Sequence, residues 1–404
     1  MSALLTGKAV VLQSGGCTAV INRSLAGVVG ESRSHKAITG IWGSRFGING
    51  VLHGDLADLR KCSPDDLGRI ARAPSAALGS SRHKLTEAET AAVVERFKRW
   101  DIRFVFMIGG NDTAATALRI ERAAAREHCP LRLIHIPKTI DNDLEGTDHT
   151  PGYGSAARFA AITTQEAGLD TAAMRQVDPV KIIELMGRNS GWIVAASALL
   201  RRKKEDPPHL LLVPEVPFEE RKFLRDVARV LKEVGYCVVV ISETIRDAKG
   251  QRIGSGKENA VIKDGFGHPY VEGAAQVLAG LVEKTFRVRA RFDKPGTIQR
   301  MSIPYLSRTD AHEAFLAGVH AVKWAVKGMS SVMVGFKRVP GLPYRIRFVP
   351  VDLAKVPDRE RKLPAHFLNR ERNHISRAFC RFALPLLGKD LPDLTIPALK
   401  RTRF

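Results

Sequence analysis

The chain reads as an α/β protein with parallel sheets, arranged as two domains that share one cleft. Short apolar, β-branched runs alternate with longer stretches of helical period. Glycine-rich or polar clusters follow directly after most of the strand-like runs, and no low-complexity linker or fixed-period repeat interrupts the chain. The 404 residues suffice for a sizeable core and for two domains.

In chain order, the first strand candidate is AVVLQ at 9–13, followed by Ser14-Gly15-Gly16 and a helix candidate at 18–30. FVFMI at 104–108 comes next; Gly109-Gly110-Asn111-Asp112-Thr113 ends it, and a helix is expected over 114–127. LIHI at 133–136 leads into Pro137-Lys138-Thr139-Ile140-Asp141-Asn142-Asp143, with a helix at 155–175. KIIELM at 181–186 runs into Gly187-Arg188, with a helix expected at 190–203. LLLV at 210–213 and a helix at 218–234 precede CVVVI at 237–241, after which stand Ser242-Glu243-Thr244. A helix is expected at 271–285, and the polar, basic tail beyond about 355 reads as a helical extension for packing or assembly. Its charge thickens after Arg359 and in the terminal LKRTRF. In open parallel sheets ligands bind outside the carboxyl ends of the strands, so five of these clusters should converge on one cleft.

Bulk properties narrow the function classes. Hydrophobic residues at 44% and charged residues at 26% are ordinary for a soluble protein. No apolar run of about 18 residues occurs, so no membrane span is expected. MSALLTGKAVVLQSGG runs straight into a strand-like segment, without the layout of a signal peptide. Cys17, Cys62, Cys129, Cys237 and Cys380 are scattered and form no CxxC pair, which disfavours a disulfide framework or a zinc site and fits a reducing cytoplasm. The histidines show no HxxxH or HExxH spacing. Trp42, Phe46 and Trp192 read as core or turn packing. The net charge of +21 is the abnormal feature, and a nucleic-acid binder could carry it. Aromatics are only 6%, however, and no segment combines packed Lys/Arg with stacking residues. A basic solvated surface that attracts anionic substrates is the better reading.

The clusters suggest phosphate chemistry. Consecutive glycines after a strand, as at Gly15-Gly16 and Gly109-Gly110, let backbone N–H groups approach phosphate oxygens beside a helix N-terminus. Lys138 to Asp143 is more specific. Two carboxylates at i and i+2 in an extended turn point in different directions, so one can take a proton while the other helps hold magnesium. Thr139 can donate to a phosphate oxygen, and Lys138 adds positive charge where negative charge develops.

With these residues in place the sequence resembles the phosphofructokinase family, in particular its pyrophosphate-using branch. SGG, LGSSR (78–82), GGNDT, PKTIDND, MGR, SET and GTIQR (296–300) appear in the family's order over roughly 8–325. Lys138, where ATP users carry Gly, and Asp112, in the last slot of their GGDG, are similar to pyrophosphate users. The resemblance implies two Rossmann-like domains with the active site in the cleft between them. Residues 1–150 plus about 298–350 would bind pyrophosphate and magnesium. Residues 151–297 plus 351–404, with the basic C-terminal extension, would bind the sugar phosphate.

The resemblance also implies roles. Asp141 would be the base on the sugar 1-hydroxyl, assisted by Lys138, Asp112 and Thr139. Asp143 would bind or orient Mg2+, with Asn111 and Asp112. Gly15, Gly16, Gly109, Gly110, Asn111, Asp112 and Thr113 would form the donor loops, and Arg82 would reach the bridging region. Thr139, Ile140, Asp141, Met186, Gly187, Arg188, Glu243, Arg291, Thr297 and Arg300 would hold fructose 6-phosphate. Arg291 occupies the position that the family supplies from a neighbouring subunit, which implies a homodimer or homotetramer. There are three departures from the pattern. Asn111 replaces a usual Asp, Thr297 replaces a His common among ATP users, and Pro179 stands where many relatives place a second in-trans arginine, for which Lys181 is a substitute. An ATP-dependent phosphofructokinase, a relative preferring sedoheptulose 7-phosphate, a lipid or NAD kinase, a non-catalytic family member and a nucleic-acid binder remain as rivals.

Overall fold

The protein is described here by a computed structural model covering residues 5–254 and 273–396. The terminal LKRTRF and the first two residues of the expected helix at 271–285 lie outside the described residues. In chain order the strands are β1 (Gly7–Gln13), β2 (Ile38–Ser44), β3 (Leu56–Asp58), β4 (Ile102–Gly109), β5 (Arg132–Pro137), β6 (Val180–Leu185), β7 (Leu210–Leu212), β8 (Cys237–Ser242), β9 (Ala290–Asp293), β10 (Val332–Arg338) and β11 (Ile346–Asp352).

Among the described residues they form two sheets. The larger has seven strands in the order β11-β10-β5-β4-β1-β2-β3 and the smaller four, in the order β7-β8-β6-β9. In the larger sheet only β3 and β11, at its edges, run antiparallel to their neighbours; the smaller sheet is wholly parallel. Both faces of the larger sheet are covered, which is why its central strands read as continuous apolar runs rather than alternating ones. Ala9 and Val11 of β1 pack with Ile21, Leu25 and Val28, whereas Val10 and Leu12 pack on the other face with Val93, Phe97 and Ile120.

The helix Arg308–Val326 closes the first of these faces by crossing Ile21–Ser32 at very short range. Ser24 donates to the Ala314 carbonyl at 2.9 Å. A Cβ at Gly27 or Gly318 would overlap the backbone of the opposite helix, so the close approach requires glycine at both positions.

The strand runs and the clusters behind them match the sequence reading closely, with three differences. β2, β3, β9, β10 and β11 add five strands that the sequence reading did not name. The helix expected at 190–203 is only Trp192–Ala196. Ser197 turns its hydroxyl back to the Val194 carbonyl at 2.6 Å, and four consecutive cations, Arg201 to Lys204, follow within two turns. The tail is not a helical extension either. After β11, Leu353 and Val356 join the core of the larger sheet; residues 359–363 form no helix or strand, and one short helix, Arg377–Ala383, packs Phe379 beside Leu386 and Leu387 under the smaller sheet.

Candidate active site

β1, β4 and β5 lie side by side and parallel, so their carboxyl ends open onto the same place. Gly15 follows β1 with φ +77°, a conformation that favours glycine; a Cβ there would stand 3.3 Å from Lys138 Nζ. The 78–82 loop is locked onto this turn: Gly15 N–H donates to the Ser81 carbonyl at 3.0 Å and Ser80 Oγ to the Gly15 carbonyl at 2.6 Å. That lock brings Arg82 to the cleft. After β4, Gly110 precedes the helix Asn111–Arg126, whose first residues Asn111, Asp112 and Thr113 also line the cleft. Gly109 does not: it ends the strand, with Thr113 packed where a Cβ would go.

After β5 the chain supplies Lys138, Thr139, Ile140, Asp141 and Asp143 to the same cleft. Lys138 is buried, and its ammonium donates to the Gly16 carbonyl at 2.7 Å, joining the donor turn to the base-bearing loop. Burial, with the nearby Arg300 and Arg82 cations, pushes its pKa down to about 8. Burial and the adjacent Asp143 carboxylate push the Asp141 carboxyl well above the usual carboxylate range, and burial does the same to Asp143. Thr139 Oγ accepts the Asp141 N–H at 3.1 Å, which holds the turn.

From the smaller sheet β6 delivers Met186 and Arg188, and Arg300 and Thr18 complete the lining of the cleft. Arg188 adopts φ +45°, and its N–H donates to Glu243 at 3.2 Å. Gly187 (φ +142°) and Glu243 thus act behind the surface, shaping the loop rather than lining the cleft. Met186 N–H is held by the side chain of Gln299 at 3.2 Å.

Two sequence expectations fall elsewhere. Arg291 lies on β9, the edge strand of the smaller sheet, paired with Asp178 at 2.6 Å and away from this chain's own cleft. Thr297 begins a short helix and is not among the cleft residues. Lys181 does not stand in for the second arginine, because it is buried against Asp293 at 2.9 Å. Arg289, two residues from Arg291, reaches the same Asp178 at 3.4 Å and is exposed. Sequence reasoning missed it, along with Thr18 and Gln299; the GTIQR stretch carried the signal for Gln299.

Among the described residues no three His, Cys, Asp or Glu side chains cluster to hold a metal by themselves. Two half-buried carboxylates, Asp112 and Asp143, line the cleft without a full protein cage. That fits Mg2+, which takes one or two carboxylates and fills its remaining positions with water and phosphate oxygens. Asn111 fits the ion less well, since its amide is taken at both ends by the 358–359 segment: Nδ2 donates to the Arg359 carbonyl at 2.7 Å and Oδ1 accepts the Asp358 N–H at 2.9 Å.

The phosphofructokinase family profile matches residues 8–325. A pyrophosphate–fructose 6-phosphate 1-phosphotransferase of Xanthomonas campestris pv. campestris (strain B100) is 38% identical over 96% of this chain and 93% of its own length. A sulfofructose kinase of Alkalicoccus urumqiensis is 31% identical over 89% of this chain and 91% of its own. The crystal structure of a pyrophosphate-dependent phosphofructokinase from Nitrosospira multiformis superposes with a TM-score of 0.87 at 34% identity, covering 96% of this chain and 94% of that one.

Proposed function

The chain belongs to the phosphofructokinase family, and from that premise we propose that it transfers a phosphoryl group reversibly between pyrophosphate and the 1-hydroxyl of fructose 6-phosphate, giving fructose 1,6-bisphosphate. Asp141 takes the proton from the sugar hydroxyl as its oxygen attacks phosphorus. Burial beside Asp143 makes it a stronger base than a free carboxylate, nearer to the working pH. Lys138, Arg82 and the Gly15-Gly16 turn receive the departing phosphate, and Arg188 and Arg300 grip the sugar phosphate by paired hydrogen bonds. Asp143 and Asp112 would hold Mg2+, which when bound would neutralise charge on the phosphates. The donor half comprises 1–150 and about 298–356, past the expected end at 350 because β11, Leu353 and Val356 belong with the larger sheet, and the sugar half 151–297 and the residues after 356.

The observation that carries the reading is Lys138, a buried ammonium bonded to the donor turn and three residues before the base. A donor without a nucleotide handle needs fixed charge at the departing phosphate, and this lysine provides it.

A shared site is supported by the β9 edge. Arg289 and Arg291 project there beside exposed apolar residues: Val177 (57%), Phe292 (45%) and Ile298 (56%). A second copy covering this edge would receive both arginines, so the protein is a homodimer or homotetramer. No helix among the described residues is long and apolar enough to cross a membrane, and we assign the enzyme to the cytoplasm.

The test is purified protein assayed with magnesium and either pyrophosphate or ATP, each with fructose 6-phosphate, sedoheptulose 7-phosphate or sulfofructose. Pyrophosphate with fructose 6-phosphate should give the highest kcat/KM. Preference for ATP, or for sulfofructose over the phosphorylated sugars, would replace the reading.

A further inference from the structure

Residues 358–363 carry no family motif, yet they touch three of the loops that meet at the cleft. At one end the segment is bound to the donor side: the Asn111 amide satisfies the Asp358 N–H and the Arg359 carbonyl at once, across 248 residues of sequence. In the middle Arg361 grips the base-bearing loop. Its N–H donates to the Asp143 carbonyl at 2.8 Å and its guanidinium to the carbonyls of Asn142 (3.1 Å), Thr147 (2.6 Å) and Asp148 (2.6 Å). The same guanidinium lies 4.5 Å over the ring of Trp192, whose Nε1–H donates to the Arg361 carbonyl at 3.1 Å. At the sugar side Asn189 donates to Glu360 at 3.1 Å and its carbonyl accepts from Lys362 at 2.9 Å.

We propose that residues 358–363 are a strap that sets the position of the base-bearing loop, with Asn111 as its anchor and Arg361 as the positioning residue for Asp141 and Asp143. This rests on the phosphotransferase reading and adds to it the way the base is placed. Among the described residues Asp141 is bonded through its backbone, and its side chain has no partner comparable to these grips, so the aim of its carboxyl depends on the loop that carries it. Three backbone contacts from one rigid, planar guanidinium, with a fourth from the Arg361 N–H, fix that loop at both ends of its turn. The departure at Asn111 then has a cause. An Asp there could accept the Asp358 N–H but would set a carboxylate against the Arg359 carbonyl, where an amide donates.

The experiment uses full-length Asn111→Ala, Asn111→Asp and Arg361→Lys proteins, with steady-state kinetics and amide hydrogen exchange read over 139–150. In each, kcat should fall roughly tenfold or more, since misplacing a catalytic group by about an ångström costs on that order or above. The KM for pyrophosphate and the half-saturating magnesium concentration should stay within about twofold, and exchange at 139–150 should speed up. Asn111→Ala combined with Arg361→Lys should be no slower than Arg361→Lys alone, because both loosen one strap. Asn111 lies at a surface contact, so its variants remain folded even if Arg361→Lys does not. An Asn111→Asp enzyme that keeps its kcat and needs less magnesium would make Asn111 a metal ligand and overturn the proposal, as would full kcat with unchanged exchange in both Asn111 variants. Wild-type protein without pyrophosphate-dependent turnover would instead defeat the functional reading, while the exchange data would still decide the strap.

Discussion

Folding buries Asp141 beside Asp143 and raises both carboxyls, so the charged base is disfavoured in the very place where it is needed. Asp141→Asn keeps the shape and removes that conflict. Its kcat should fall by about 10²–10⁴ while its thermal midpoint stays level or rises, since a desolvated charge is removed. A variant that retains more than a third of wild-type turnover would take the base role from Asp141. Asp112 lines the cleft, and the proposed function puts it where a nucleotide's α-phosphate would have to pass. Two like charges about 4 Å apart at an effective dielectric near 20 cost roughly 4 kcal/mol, close to a thousandfold in affinity. Asp112→Gly should therefore admit ATP weakly, and adding Lys138→Gly should depress pyrophosphate turnover and move the donor ratio further. An unmoved kcat/KM ratio across these variants would show that neither residue selects the donor. Lys138, Asp141 and Asp143 were legible because one continuous stretch carries them. Arg361 was not: it lies in the polar tail that reads as a helical extension, and its contacts are about two hundred residues distant along the chain.

At the scale of elements, the strands that the sequence reveals are those with both faces covered. β10 and β11 were passed over for opposite reasons. β10 is apolar but broken by Gly335, while β11 alternates exposed and covered positions around Pro350, as an edge strand does. β9 exposes Arg291 and Phe292 in a four-residue strand. Between β5 and the following helix, Tyr153–Ala173, lies a buried charge group that holds the far end of the base-bearing loop. His149 bonds Glu313 at 2.6 Å and Asp148 at 2.8 Å; Arg338 also faces Asp148 at 3.0 Å, and Tyr344 donates to Glu313 at 2.8 Å. Burial alone would lower the pKa of His149, but the two carboxylates prevail and raise it to about 9. A folded-state pKa above the unfolded value near 6.5 stabilises fully below that value and is lost as the pH rises through about 9. The effect is roughly 3 kcal/mol at most. The wild type should lose thermal stability between about pH 6.5 and 9, and His149→Gln should flatten that part of the profile. Parallel profiles for the two proteins would remove His149 as the cause.

For the whole molecule, the shared site proposed above would be complete only where the β9 edge meets another copy. Arg291→Ala should raise the KM for the sugar phosphate strongly and that for pyrophosphate much less. Mixing Arg291→Ala with Asp141→Asn subunits should restore part of the activity, because some cleft then receives an intact arginine and an intact base together. No recovery in verified mixed oligomers would place Arg291 outside the site. The two-sheet layout and the position of the cleft were legible from the clusters behind the strands. Which halves of the molecule the later segments join was less so, because strand order is decided by pairing in space and not by distance along the chain.

β5 carries the base-bearing loop and hydrogen-bonds to β10, with Ile134 opposite Val332. That pairing has a consequence for synthesis on the ribosome. The strand that flanks β5 is translated about two hundred residues after it, when the smaller sheet has already emerged. Until then β5, central in the finished sheet, is an open edge of apolar strand, the kind of surface that recruits a foreign strand. A nascent chain must either keep its first half unsettled or wait with that edge shielded, and a message cut short before residue 332 yields a product with the motif intact and the edge permanently bare.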